Sequence, residues 1–458
     1  AEGVTYPLST SSSDAYVLYL KGRQAYYRQT TDSMKEARVF FEQAITLDPE
    51  YSQAYVALAD TVALMADGSR NFGVLKPRIA QMLATGHLEK ALARSPELAE
   101  AHAVQGRVHD LGGEREQALA AFDTAVDLNP SLAKAHMWRY LVLRDLGREQ
   151  EAFETLLQAR DLDPESITLK FNYGFELRRR ARFTEAIAVF ERLVDEVPSS
   201  PMGYAGLAGT LFSLGDYSGS VAYWREAWSR SPENDDYLYS FLDILVMLGL
   251  NEEFARFSDD PAYAPNLLFN AGDSDGVVRY MENAIDAYPD DPWVTFEAAW
   301  YQMQLGNRAR AAELLLRVES ELEPPEMTDL PYCSPAIEVA WAYQVLEEAE
   351  KSASLMEACR SKLAGVENSG VRPHPQTYLQ VRVASLAGSD EAAAALLELV
   401  NAGYRESWIT RDPLLFRLEG TEAYRESIRR INENLAKERN EVRSDLAASP
   451  PAPAKSAD

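Results

Sequence analysis

The sequence predicts an all-α fold, a solenoid of antiparallel helix pairs, and three observations carry that prediction. Pro96, Pro130, Pro164, Pro198 and Pro232 stand in an arithmetic series with a step of 34 residues. The same residue types recur at fixed distances before each proline. Five before lie Ala91, Ala125, Ala159, Leu193 and Ala227; eight before lie Leu88, Phe122, Leu156, Phe190 and Trp224; twelve before lie Ala84, Ala118, Ala152, Ala186 and Ser220. The chain also has 458 residues with an ordinary composition, 46% hydrophobic and 25% charged. A single core rarely grows that long, so several domains or a repeat array are expected.

Each recurring residue has a physical task. The small residues let two helices approach closely. Gly113, Gly147, Ala181 and Gly215 precede their prolines by a constant interval and mark the tight turn between the helices. The proline ends the second helix and starts the next unit. No unit buries its apolar face alone, so neighbours must stack into a superhelix with a concave inner wall.

This pattern resembles the tetratricopeptide repeat, W-x2-L-G-x2-Y, then A-x3-F, then P, over about 34 residues. The resemblance implies a right-handed superhelix and a task of holding other polypeptides. Ala37, Phe41, Ala44 and Pro49 match the same offsets. The step from Pro49 to Pro96 is longer, which places an insertion around Asp67–Lys76. The expected organisation is an N-terminal extension at 1–13, a regular array at 14–232 and degenerate repeats at 233–289. Pro289, with Ala284 and Gly272, restores the offsets there. Further helix pairs follow at 290–403, with one pair marked by Gly306 and Ala311, a loop at Glu323–Pro335, and pairs near 336–364 and 375–402. Capping helices are expected at 404–443, containing RDPLLFRLEG, and a disordered tail at 444–458, which has little to bury.

The two ends narrow the resemblance. Asp14-Ala15-Tyr16-Val17-Leu18-Tyr19-Leu20-Lys21-Gly22-Arg23 resembles the entry helix of repeat domains attached to bacterial adenylate cyclases, membrane-anchored winged-helix regulators and some kinases. Gly403-Tyr404, Trp408, Arg411-Asp412-Pro413-Leu414 and Tyr424 are similar to the end of those domains. The resemblance implies a sensory or docking module of a signalling protein, often periplasmic. It departs at 233–275, where the repeats degenerate.

The formal charge of −26, from 71 acids and 45 bases, argues against a general nucleic-acid binder, which needs cations to replace phosphate counterions. It also opposes attraction to an anionic membrane face. The most apolar stretch, Leu238–Leu250, is shorter than the roughly 18–20 residues of a span, carries Asp243, and reads as a buried helix. The N-terminus has neither a basic n-region nor an apolar h-region. Either the protein is cytoplasmic, or a leader or anchor has been removed. A periplasmic or otherwise extracytoplasmic location is the expectation, with the cytoplasm as the alternative.

No phosphate-binding Gly loop, nucleophile elbow or H-E-x-x-H stands in the sequence, so no catalytic, cofactor or metal residues are expected. His102 and His136 occupy the repeat position usually held by Trp, and His109 that of Tyr. Packing is the expected role over metal binding, because no Cys or carboxylate pattern completes a site. Cys333 and Cys359, the two cysteines, fall at facing ends of two predicted helices. They are either a disulfide, which would point to an oxidising compartment, or two partly buried thiols.

In repeats of this kind, certain first-helix positions line the concave wall. Here they hold Arg107 and Asp110, then Lys134, Met137, Trp138 and Arg144, then Phe171, Asn172, Phe175, Arg178 and Arg179. Bases and rings in so acidic a chain suggest a groove for an extended acidic segment, with bases pairing carboxylates and rings as anchors. Asn172 could hydrogen-bond a peptide backbone. The competing expectation makes Arg178–Arg182 a solvated helix end and Trp138 and Phe171 core. A carboxylate clamp for chaperone termini is not expected, since Met137 and Leu141 stand where it needs polar residues. The partner-binding set is thus Arg107, Lys134, Trp138, Arg144, Phe171, Asn172 and Arg178. The function expected is a protein-binding scaffold, not an enzyme. Its rival is a structural subunit packing through its convex face or by self-association.

Overall fold

The computed structural model describes residues 10–28, 30–66, 74–232, 234–322, 333, 335–367 and 374–448. Residues 1–9 of the extension, most of the Asp67–Lys76 insertion, most of the Glu323–Pro335 loop, and residues 449–458 of the tail lie outside them. The described residues form α and 3-10 helices with no strand. Two compact units divide the chain, at 1–173 and 174–458.

Unit 1 is built from α1 (Ser13–Arg28), α2 (Thr31–Leu47), α3 (Ser52–Leu64), α4 (Pro77–Arg94), α5 (Ala99–Leu111), α6 (Arg115–Leu128), α7 (Ala133–Asp145) and α8 (Glu149–Leu162); α9 (Ile167–Arg179) begins in it. The helices pair consecutively, α1 with α2 through α7 with α8. The repeat residues explain the pairing. Ala37, Phe41 and Ala44 on α2, and Ala118, Phe122 and Ala125 on α6, are fully buried. A methyl group added at Gly106 would stand 2.6 Å from the Phe122 ring, so α5 must carry no side chain there. Gly113 and Gly147 turn the chain between paired helices at φ +77° and +72°, a conformation that disfavours other residues. His102 and His136 make the same bond, Nε2 to the carbonyl oxygen of the repeat prolines Pro96 (2.8 Å) and Pro130 (3.0 Å). His109 Nδ1 lies 2.6 Å from Glu114.

Unit 2 continues with α10 (Phe183–Glu196), α11 (Pro201–Ser213) and α12 (Tyr217–Arg230). Ala181 takes the left-handed turn that glycine takes elsewhere, at φ +55°. The degenerate stretch follows. α13 (Asp235–Met247) is a full first helix, but its partner α14 (Asn251–Phe254) is a single turn, followed by a 3-10 turn at Pro261–Tyr263 and the short α15 (Ala264–Asn270). α13 buries Leu238, Phe241, Leu242, Ile244, Leu245 and Val246, while Asp243 accepts a hydrogen bond from the Tyr263 hydroxyl at 2.7 Å. That accounts for the charge in this apolar run. α16 (Ser274–Ala287), α17 (Pro292–Gln304) and α18 (Arg308–Glu321) resume the alternation. Helices Ala336–Val345, Ala349–Glu367, His374–Leu386 and Ala392–Asn401 complete it.

The C-terminal helix, Glu422–Ala448, does more than close the far end of this unit. One core joins Tyr217, Phe241, Leu245 and Phe254 to Tyr378, Leu396, Ile431 and Leu435. The helix also satisfies backbone groups at the ends of earlier helices. Glu438 accepts from the Ser218 N–H at 2.9 Å, Arg439 donates to the Leu248 carbonyl at 2.6 Å, and Asn434 donates to the Gly215 carbonyl at 3.3 Å. The segment predicted as a cap at 404–443 thus extends to Ala448 and lies against α12 and α13.

The Arg411-Asp412-Pro413-Leu414 motif has a structural task. Asp412 caps the 3-10 helix Pro413–Leu418 through the Leu414 N–H (3.0 Å) and also accepts from Tyr378 (2.7 Å) and Arg382 (2.8 Å). Arg382 donates in turn to Glu338 (2.7 Å), and all three charged groups are buried. Cys333 and Cys359 are joined in a disulfide, with their Cα atoms 5.7 Å apart.

Candidate functional site: the inner wall of unit 1

The inner wall is generated by repeat position. Tyr26 and Asp60 are separated by 34 residues, one repeat, and Asp60 and Arg107 by 47, the step between Pro49 and Pro96. All three therefore hold the same place on α1, α3 and α5, and Leu141 holds it on α7. A second row runs through Tyr19, Gln53, Glu100, Lys134 and Thr168, and a third through Arg23, Ala57, Val104, Trp138 and Asn172.

Two cavities lie along these rows. One, of about 370 Å³, opens between α1, α3, α5 and α7, with Tyr19, Tyr26, Phe41, Ala57, Val104 and Trp138 among its walls. The other, of about 490 Å³, is lined by Arg107, Asp110, Met137, Leu141 and Leu169 among others. Tyr26, Tyr27, Lys134 and Trp138 border both.

The electrostatic centre is Asp60. Its carboxylate is 6% exposed and receives three donors: the Tyr26 hydroxyl (2.8 Å), Arg107 (2.5 Å) and Lys134 (2.7 Å). Burial pushes this carboxyl up, but Lys134 and Arg107 outweigh burial and hold it down at about 2. For the Lys134 ammonium, burial lowers the pKa, and Asp60 more than compensates, leaving it raised. Burial, then the Asp60 charge, pushes the Tyr26 phenol up. Lys134 stands 4.5 Å from the Trp138 ring centroid and 5.3 Å from that of Tyr26, and Arg107 stands 5.3 Å from Trp138. Lys134 reaches from α7 to α3 past α5, a contact between repeats that are not neighbours, whereas solenoid contacts are mostly nearest-neighbour.

Of the residues expected from the sequence to face a partner, Arg107, Lys134 and Trp138 come together here. Trp138 is only 8% exposed, serving both as cavity wall and as core beside Phe122, 6.4 Å away. Arg144 lies near the end of α7, against Tyr140 and bonded to Asp145 at 2.9 Å, and lines neither cavity. Phe171 and Asn172 are half-buried on α9, also outside the cavity walls. Arg178 falls in unit 2, stacked on Phe175 at 4.7 Å. The sequence-based set omits Tyr26 and Asp60. Applying the Arg107 offset one and two repeats earlier finds both, so the signal is present once the array is extended back across the insertion. Among the described residues, no group of three His, Cys, Asp or Glu is arranged to hold a metal ion.

The family models that match the chain agree with this architecture. Two tetratricopeptide repeat models match, one at residues 15–51 and the other at 112–167 and 176–253, so these stretches are repeats of that kind. Mouse DnaJ homolog subfamily C member 7 is 28% identical over 181 residues, covering 38% of this chain and 36% of the mouse protein. The chain thus matches about a third of that relative's length. Among solved structures, YrrB, described as a TPR protein with an unusual peptide-binding site, is 18% identical with a TM-score of 0.30, covering 44% of this chain and 96% of its own. The Pseudomonas aeruginosa pilF structure is 15% identical with a TM-score of 0.36, covering 49% and 96%. No helix among the described residues is long and apolar enough to cross a membrane.

Proposed function

We propose that unit 1 is a docking groove in which a segment of another polypeptide lies along the inner helices α1, α3, α5 and α7. The observation that carries this reading is the pair of adjoining cavities lined by repeat-equivalent residues of all four helices. Ring and aliphatic walls with a few fixed polar groups are what a peptide needs: anchors for side chains and partners for its backbone. The task is mechanical, holding and presenting a partner, rather than catalytic.

A photo-crosslinking residue at Ala57 tests the groove, with the same residue at the exposed Asp127 as control. Crosslinks from position 57 should map to one short stretch of a partner protein, and position 127 should give none to that stretch. Equal crosslinking from both would move the interface to the outer surface and favour the structural-subunit reading. Membership in a bacterial signalling system rests on the end segments alone, and Asp412 in the second of them has a structural task. An extracytoplasmic location is supported by the Cys333–Cys359 disulfide. Alkylation of the protein isolated without reductant should then label neither cysteine, and labelling of both would count against that compartment.

A further inference from the structure

The charges in the smaller cavity say what sort of segment the groove takes. We propose that this cavity is an anchor pocket for one large apolar or aromatic side chain, and that the docked segment is uncharged at that point because Asp60 already occupies the acid seat. The inference rests on the docking reading and specifies its partner.

Three observations lead there. First, at about 370 Å³ the cavity lies at the small end of the ligand-pocket range of about 300–1,000 Å³, room for one side chain rather than a folded element. Second, its charged lining balances in number, Arg23 and Lys134 against Asp60 and Glu100, with Arg23 donating to the hydroxyls of Tyr19 and Tyr27. A bare cationic groove would attract carboxylates, but here both strong cations at the centre, Lys134 and Arg107, already hold Asp60. A carboxylate from a partner would enter a pocket whose own two carboxylates, Asp60 and Glu100, already match its two cations in number, and it would lose its hydration there. Third, the walls offer ring and aliphatic surface from Phe41, Val104 and Trp138, and Ala57, the smallest side chain in its row, leaves room beside them. Aromatic side chains entering such desolvated pockets are the usual source of binding energy in an interface.

The test is a displayed library of random twelve-residue peptides selected on the full chain. Enriched peptides are then measured by fluorescence anisotropy against the wild type, Ala57→Trp, Met137→Trp and Asp60→Asn. Ala57 and Met137 are both half-buried and each lines one cavity, so a tryptophan at either fills that cavity, and circular dichroism with a melting curve checks that each variant folds. The expected result is enrichment of one large apolar residue without adjacent acids, binding at least tenfold weaker to Ala57→Trp, and a gain for acidic peptides with Asp60→Asn. Enrichment of acidic peptides on the wild type would overturn the proposal. So would peptides that lose binding with Met137→Trp but not Ala57→Trp; that result would keep the groove and remove the anchor pocket. Peptides indifferent to both, or no enrichment at all, would remove the docking reading itself.

Discussion

At the scale of single residues, Asp60 organises the inner wall. Its folded pKa of about 2 lies below the ordinary carboxylate value of about 3.9, so it contributes stability above that value. The contribution is lost as pH falls through the folded value. The melting temperature of the wild type should therefore fall more steeply between about pH 4 and pH 2 than that of Asp60→Asn. Parallel curves would mean that the pairing carries no net stability. At neutral pH, Asp60→Ala leaves Arg107 and Lys134 facing each other. Removing one member of a buried pair costs about 3–5 kcal/mol, and the 44% exposure of the Lys134 side chain puts this case at or below the lower end. Ala181 offers the opposite sign. It sits at φ +55° where equivalent turns use glycine, so Ala181→Gly should raise the stability of unit 2 by about 0.5–1 kcal/mol in chemical denaturation.

At the scale of elements, the helix pairs and their turns were legible because a 34-residue period repeats the same packing problem. The inner rows follow from the same period, which is why Arg107, Lys134 and Trp138 could be picked out. What the period did not give is what reaches across it. Lys134 finds Asp60 two repeats away, and the pairing of the two cysteines depends on how the Cys333 segment meets the Ala349–Glu367 helix. The role of the final helix was also hidden. Its charged sequence suggested a terminal cap, yet Glu438, Arg439 and Asn434 are spent on backbone groups near residues 215–248, which local periodicity cannot reveal. Deleting residues 422–448 should therefore unfold unit 2 rather than fray its end, seen as loss of near-UV dichroism. Reducing the disulfide, which closes a separation of 26 residues, should destabilise the unit by about 3–4 kcal/mol, measured by denaturation with and without reductant.

At the scale of the molecule, two units of one repeat architecture are built differently. Unit 2 joins its early helices to its last one in a shared core and locks its C-terminal region with the buried Glu338–Arg382–Asp412 cluster. Unit 1 keeps its inner wall lined with cavities, rings and one buried carboxylate held between two cations. The net charge of −26 does not describe this wall, where two cations surround one carboxylate.

The central claim, that a polypeptide lies along the inner wall of unit 1, is tested most directly by amide hydrogen exchange of the full chain with and without a bound segment. The account predicts slowed exchange in α1, α3, α5 and α7, with α2, α4, α6 and α8 unchanged. Protection confined to those outer helices, or to unit 2, would contradict it.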